Sequence, residues 1–301
     1  MTVLTSIGKA ASPGPRQLAG RRRPVRETVF LIALQFSLVI AIAFLAVLLA
    51  YVISKGWARL DPRLWENMPS IRRPENAGAQ SAIVGTIYLM GLTALFVIPT
   101  GVLAAIYLEE YADRDKWYNR LLELNIQNLA GIPSIVYGIL GLGIIARVIG
   151  LGFGLITGAL TLALLVLPVV IISAREAIRA VPPSIREGSL ALGATQWQTI
   201  YRQVLPSSIP GIATGSILAL SRAIGEAAPL VMLGAATFVA FNPESLTDGF
   251  TALPLQIYNW IGQSRPEFGV LASSAIVVLL ALLLVMNSVA ILLRNRYQKR
   301  W

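Results

Sequence analysis

The sequence predicts an all-α integral membrane protein with six transmembrane helices and a short helical element between the fourth and the fifth. Three observations carry this reading. The 301 residues are 55% hydrophobic and only 13% charged, against about 25% charged in a soluble domain, and the mean hydropathy is +0.68. Six apolar runs approach or exceed the roughly 20 helical residues that cross a hydrocarbon core of about 30 Å. The Lys and Arg residues gather at the ends of these runs. The net charge of +10 therefore reads as membrane topology rather than affinity for nucleic acid.

Residues 1–28 form a polar, basic tail, and 29–301 a single transmembrane domain. The first run, Val29–Ile53, has 25 residues. That exceeds a signal-peptide core of about 7–15, and no small-residue cleavage site follows, so a retained anchor is expected. Ile83–Leu108 is the second span, with Pro99 expected to kink it. Asp113–Leu122 reads either as a surface helix with Trp117 and Tyr118 at the interface or as a plain connector. Leu129–Ala146, short and Gly-rich, is the third span. Leu151–Ser173 is the fourth, with a second expected kink at Pro168. Ile209–Ala236 and Val270–Leu293 complete the set. With the N-terminus inside, the segments 1–28, 109–128, 174–208 and 294–301 hold seventeen Lys and Arg residues, against seven in 54–82, 147–150 and 237–269. Both termini are thus expected in the cytoplasm.

The composition also narrows the chemistry. There is no cysteine and no histidine, which removes disulfides, thiol catalysis, Ser-His-Asp triads, histidine-ligated zinc and histidine proton relays. A membrane enzyme would have to work with carboxylates alone. No G-x-x-x-x-G-K-[ST] occurs, so ATP hydrolysis is not expected of this chain.

The loop at 174–208 is the most informative. Pro182 and Pro183 close the fourth span. Ser184, with Glu187 three residues on, has capping-box spacing. Gly193 breaks the helix that follows, Trp197 and Ile200 resume an apolar stripe, and Pro206 marks the start of the next span. The spacing predicts helix, glycine turn, helix at the membrane surface, which on physical grounds is a protein-docking element.

Glu187, Gly193 and Leu205-Pro206 resemble the inner-loop signature of ABC importer permeases: E-A-A, three residues, G, nine residues, I, one residue, L-P. Gly188-Ser189 replaces Ala-Ala, and Gln203 stands where isoleucine is usual. PSIVYG (133–138), VPPSIREGSLALGATQWQTI (181–200) and SRAIGEAAPLVMLGA (221–235) resemble the phosphate permeases of that family. GEAAPL (225–230) is similar to the G-E-T-A-P-L of the PstA type, with Ala227 in place of threonine. The resemblance implies the ABC importer type I permease fold in the cytoplasmic membrane of a prokaryote. It makes Glu187, Gly188, Leu192, Gly193 and Ala194 parts of a coupling helix for an ATPase. It also implies a homologous PstC-type permease, an ATPase dimer carrying ATP and Mg2+, and an extracytoplasmic phosphate-binding protein. No cofactor is expected in this chain itself.

Arg222 and Glu226 stand inside the fifth apolar run. Insertion of an arginine at the bilayer centre costs about 3 kcal/mol or more, so such a residue faces a bundle interior or a pathway. At i, i+4 on a continuous helix the two would project about 40° apart and touch. Two readings stay open: a neutral pair that holds a neighbouring helix, or an arginine that meets an anion beside a glutamate that selects it. Ser221 adjoins them. Ser134 and Tyr137 are candidates to line the same path with hydroxyls, although a tyrosine in a span also serves as packing. The rivals are an ABC permease for another oxyanion such as molybdate, and a channel or ion-coupled carrier.

Overall fold

In the computed structural model, residues 25–113, 115–234 and 239–297 are described. Most of the basic tail (1–24) and the last two residues of the fifth predicted span (235 and 236) lie outside the described residues. Every regular element described is helical: α1 Val25–Gly56, α2 Pro62–Glu66, α3 Gln80–Tyr111, α4 Trp117–Ala130, α5 Ser134–Val148, α6 Leu155–Arg179, α7 Pro183–Ala191, α8 Gln196–Ile224, α9 Ala228–Met232, α10 Leu253–Ile261 and α11 Pro266–Tyr297. Among the described residues, five helices are long and apolar enough to cross a membrane, and six if the bent pair α4–α5 counts as one span. The chain divides into two compact units, one ending at Ala50 and the other beginning at Tyr51. Within the first, α1 carries its apolar side chains exposed, Phe30 and Phe44 among them.

In the second unit α3, α6 and α8 form the centre. Leu89, Met90 and Val97 of α3 pack with Leu162, Val166 and Val170 of α6 and with Ala219 and Ala223 of α8. A Cβ on Gly215 would stand 2.3 Å from the Cβ of Ser173. Only hydrogen at that position lets α8 approach α6 so closely, the usual device where lipid supplies no hydrophobic drive between helices. At one end of the bundle, α2, α10 and the start of α11 form a second core around Leu64, Leu253, Trp260 and Phe268. At the other end lie α7 and the start of α8.

Several predicted boundaries move, each for a physical reason. The third span is an elbow: α4 and α5 meet at 108°, because Pro133 bars Ile132 from helical geometry and Pro133 itself is the N-cap of α5. α6 starts at Leu155, after a turn in which Gly150 and Gly152 take positive φ, and runs on to Arg179 instead of stopping at Ser173. The surface helix begins at Trp117 rather than Asp113. Pro206 does not begin a span. It lies inside α8, just after a π-helical stretch, Ile200–Val204, whose wider turn accommodates a ring that would otherwise press on the carbonyl four residues back. The segment 237–269, read only as a connection on the outer side, contains α10, which buries Leu253, Leu255, Gln256 and Trp260.

Candidate functional site

The fifth span ends early, and this decides the geometry of the site. α8 stops at Ile224 with Gly225 as its C-cap. The amides of Gly225 and Glu226 donate to the carbonyls of Arg222 and Ala223 at 3.2 and 3.1 Å, a tightened last turn. The helix cannot continue because the ring of Pro229 would meet the Gly225 carbonyl. The chain instead restarts as α9, with Pro229 in its first turn. The expectation that Arg222 and Glu226 share one continuous helix is therefore corrected: they face each other across a helix end. Their contact survives, Arg222 Nε to Glu226 Oε1 at 3.5 Å, but the side chains are 51% and 21% exposed in this chain. The pair is thus not buried within the subunit. The contact runs through Nε, and the two terminal nitrogens of the guanidinium lie outside it.

The PSIVYG and GEAAPL segments come together. A Cβ on Gly138 would lie 2.6 Å from the Pro229 carbonyl oxygen and 2.7 Å from Met232 Cβ, so α5 and α9 meet almost backbone to backbone. Tyr137 is buried, and its hydroxyl donates to the Leu129 carbonyl at 2.8 Å. That bond spans the α4–α5 elbow. Arg222 lies within electrostatic reach of Tyr137. Ser134 is half-buried in the first turn of α5, one turn before Tyr137.

Ser221 reveals a residue that sequence reasoning missed. Its hydroxyl lies 2.7 Å from the Ile217 carbonyl and 2.6 Å from Oδ1 of Asn287 in α11. Two turns further along, Arg294 of α11 donates to Thr214 of α8 at 3.0 Å. Two polar bridges at seven-residue spacing thus set the register of this antiparallel helix pair. The signal was available: an asparagine, followed by Ser288, in a run of mean hydropathy 3.0.

The second candidate region is the helix–turn–helix formed by α7 and the start of α8. α7 has no buried residue. The predicted cap at Ser184 and Glu187 is corrected: Pro182 is the N-cap, with Pro183 first in the helix and no side-chain bond. The capping box sits one helix later, where Thr195 and Gln198 satisfy each other's backbone amides at 3.3 and 2.9 Å. Between them Gly193 has φ +84°. Its amide donates to Leu190 and that of Ala194 to Ser189, at 2.9 and 3.2 Å, the paired bonds of a Schellman turn. Ser189 and Thr199 join the two arms through their hydroxyls at 2.9 Å. Glu187 and Gly188 are exposed, and Leu192 is 91% exposed. Trp197 and Tyr201 stack at 6.1 Å and are exposed as well. A rigid turn that offers leucine and aromatic rings to its surroundings has the character of a protein contact.

The sequence pattern of the binding-protein-dependent transport system inner membrane components matches residues 97–300, which include both regions. The chain belongs to that family. Among its relatives is the "Phosphate transport system permease protein PstA 1" of Mycobacterium tuberculosis (strain CDC 1551 / Oshkosh), 34% identical over 250 residues, covering 82% of this chain and 80% of that one. The "Probable ABC transporter permease protein YqgI" of Bacillus subtilis (strain 168) is 33% identical over 260 residues, covering 82% and 88%. In fold, this inner membrane component is similar to a chain of the bacterial alginate ABC transporter crystallised with its alginate-bound periplasmic protein. The TM-score is 0.63 at 17% identity, over 88% of this chain and 93% of the other. Family membership makes the chain a multi-pass inner membrane protein and a transport subunit.

Proposed function

We propose that this chain is the permease subunit, of the PstA type, of an ATP-driven importer of inorganic phosphate. The Mycobacterium tuberculosis relative, a phosphate transport system permease protein, points to phosphate. The observation that carries the mechanism is the Arg222–Glu226 pair at the broken end of α8, half-open on the surface of one subunit. In a pathway formed with a homologous, PstC-type permease, such a face becomes interior. An arginine stays charged and presents a planar fork that grips two phosphate oxygens. Only its Nε is engaged by Glu226, which leaves the two terminal nitrogens outside that contact. Glu226 cannot neutralise an anion, but its carboxylate accepts a hydrogen bond from the P–OH of a protonated phosphate. Sulfate has no such proton near neutrality, and its approach would set oxygen against oxygen. Ser221, held by Asn287, fixes the helix turn from which Arg222 projects.

The α7–α8 turn then docks the ATPase dimer. ATP and Mg2+ are bound and used there, and this chain supplies alternating access without a cofactor of its own. The excess of Lys and Arg on the same side as this turn supports a cytoplasmic location for it and for both termini. An extracytoplasmic phosphate-binding protein delivers the substrate to the α2–α10 end. Membrane lipid surrounds the bundle, and nucleic acid has no part.

The test is uptake of radiolabelled phosphate by proteoliposomes holding the assembled complex, with and without ATP, in competition with sulfate and with molybdate. ATP-dependent phosphate uptake resistant to sulfate is expected. Uptake without ATP would establish a channel or carrier, and preference for molybdate would establish a permease for that oxyanion.

A further inference from the structure

We propose that Glu110 is a transmission joint. It carries movement of the α7–α8 turn to α3, a helix with which the turn has no direct chain connection. This rests on the reading of the turn as the ATPase-docking element.

α3 does not end as an ordinary helix. Its last residues, Tyr107–Tyr111, are π-helical, and the Ala112 amide donates to the Tyr107 carbonyl at 2.8 Å. Two consecutive carboxylates stand on this stretch and face different partners. Glu109 takes both Nε and Nη2 of Arg179 at 3.0 Å and lies 3.6 Å from Nε of Arg175, so it belongs to α6. Glu110 belongs to the turn. Its Oε1 accepts from Arg186 Nε at 3.0 Å and from Nη2 at 2.7 Å, and its backbone carbonyl accepts from Gln196 at 2.6 Å. One residue of α3 therefore holds both arms, Arg186 on α7 and Gln196 at the start of α8.

Arg186 completes the joint. It also donates to the carbonyls of Ile178, in the last turn of α6, and of Val181, just beyond that helix, at 2.8 and 2.6 Å. Its side chain is 22% exposed and that of Glu110 10%, so water screens the pair poorly. Apolar attachment of α7 is slight. Ile185 packs at the rim of a cluster that includes Ala105, Ala174 and Ile200, and no residue of the helix is buried. The turn is internally rigid, through its Schellman bonds and the Ser189–Thr199 bridge. A force on Leu192 or Trp197 accordingly moves residues 183–199 as one body. It leaves that body through the chain to α6 and α8, and through Glu110 to α3.

The experiment uses the complete complex in proteoliposomes, with a cysteine-free chain as background. Three quantities are read: ATPase subunit retained on purification, ATP hydrolysed, and phosphate taken up. In Glu110→Gln the ATPase should remain bound and hydrolysis continue, while phosphate moved per ATP falls about tenfold, within the range of 5- to 150-fold typical of coupling between sites. The paired variant Glu110→Cys with Arg186→Cys should lose uptake in the same way. A flexible bifunctional thiol reagent that rejoins the two positions should restore it, and a reductant that cleaves the reagent should abolish it again. A merely structural role would not give that reversible recovery. Unchanged phosphate per ATP in Glu110→Gln, or cross-linked protein that stays inactive, would overturn the joint. Absence of uptake in the unmodified complex would instead defeat the transport reading itself.

Discussion

Gly193 offers a sharp test of the docking turn, because backbone strain and steric fit make different predictions there. Its φ is +84°, in the left-handed region, where a side chain costs an L-residue roughly 1–2 kcal/mol. Among the described residues, no atom beyond the glycine itself and its two chain neighbours lies within 4 Å of the position a Cβ would take. Within the subunit the whole cost of substitution is thus backbone strain, with no clash to add. The resulting ranking is specific. Asn tolerates this conformation and should be nearly neutral, Ala should cost about 1 kcal/mol, and Val, branched at Cβ, should cost most. Since 1.4 kcal/mol is about tenfold in an equilibrium, Gly193→Ala should weaken ATPase retention by roughly five- to tenfold. Gly193→Asp, close in shape to Asn, separates the last possibility, since a loss far beyond the Asn variant isolates charge at the contact. The assay is ATPase co-purification with the membrane complex, beside phosphate uptake, at matched levels of this subunit. If Asn is as damaging as Val, the backbone argument is wrong and the glycine serves close approach of the partner. If Val behaves as wild type, the turn does not dock the ATPase.

Three further outcomes are expected. The double variant Arg222→Met, Glu226→Gln should assemble but fail to take up phosphate, and Arg222→Lys should lose at least about tenfold because a point charge does not reproduce the fork; normal uptake by the doubly neutral protein would leave only a structural pair. A cysteine introduced at Thr247 should react with an impermeant reagent from outside, and one at Thr195 only after permeabilisation; the opposite pattern would invert the topology. Asp248 accepts from the side chain and amide of Ser245 and from the amide of Glu244, bonds that hold its carboxyl below the usual range. A depressed folded pKa stabilises above the unfolded value, and the benefit goes as pH falls through the folded one. The 244–248 turn should therefore hold at neutrality and loosen only below about pH 4. Amide exchange at Ser245 reads this, and an identical pH profile in Asp248→Asn would show that another group controls the turn.

Hydropathy made α1, α3, α6 and α11 legible, because a long helix surrounded by lipid must be apolar along its length. It misjudged both ends of α8 for complementary reasons. At the start, the polar residues Thr195, Gln196, Gln198, Thr199 and Arg202 disguise a helix that enters the span without interruption, and the π-helical stretch that absorbs Pro206 has no compositional mark. At the finish, residues 227–233 are as apolar as what precedes them, so no polarity change reports the break at Gly225; the signal was the spacing of Gly225 and Pro229. The residue types of the site were readable, since an arginine and a glutamate in an apolar run demand explanation. Their exposure was not, and neither was the contact of Gly138 with Pro229, because both depend on which helices become neighbours. The charged contacts of Glu109 and Glu110 were equally hidden, their arginines lying some 70 residues away in the chain.

The elbow between α4 and α5 has a consequence for biosynthesis. The inserting arm, Ser134–Val148, would reach at most about 22 Å at the α-helical rise of 1.5 Å per residue, and its second half, Gly141–Val148, is π-helical; it is short of a core about 30 Å thick. Its far end also carries Arg147. Such a segment partitions poorly on its own when it leaves the ribosome. α6 follows after a turn of six residues, 149–154, and is apolar enough to draw its predecessor in. The two should enter the bilayer as one helical hairpin, so that truncation before Leu155 strands α5 at the surface while extension through Arg179 lets it cross. Glycosylation mapping of nascent chains of the two lengths distinguishes these fates, and full insertion of the shorter chain would show that α5 needs no such help.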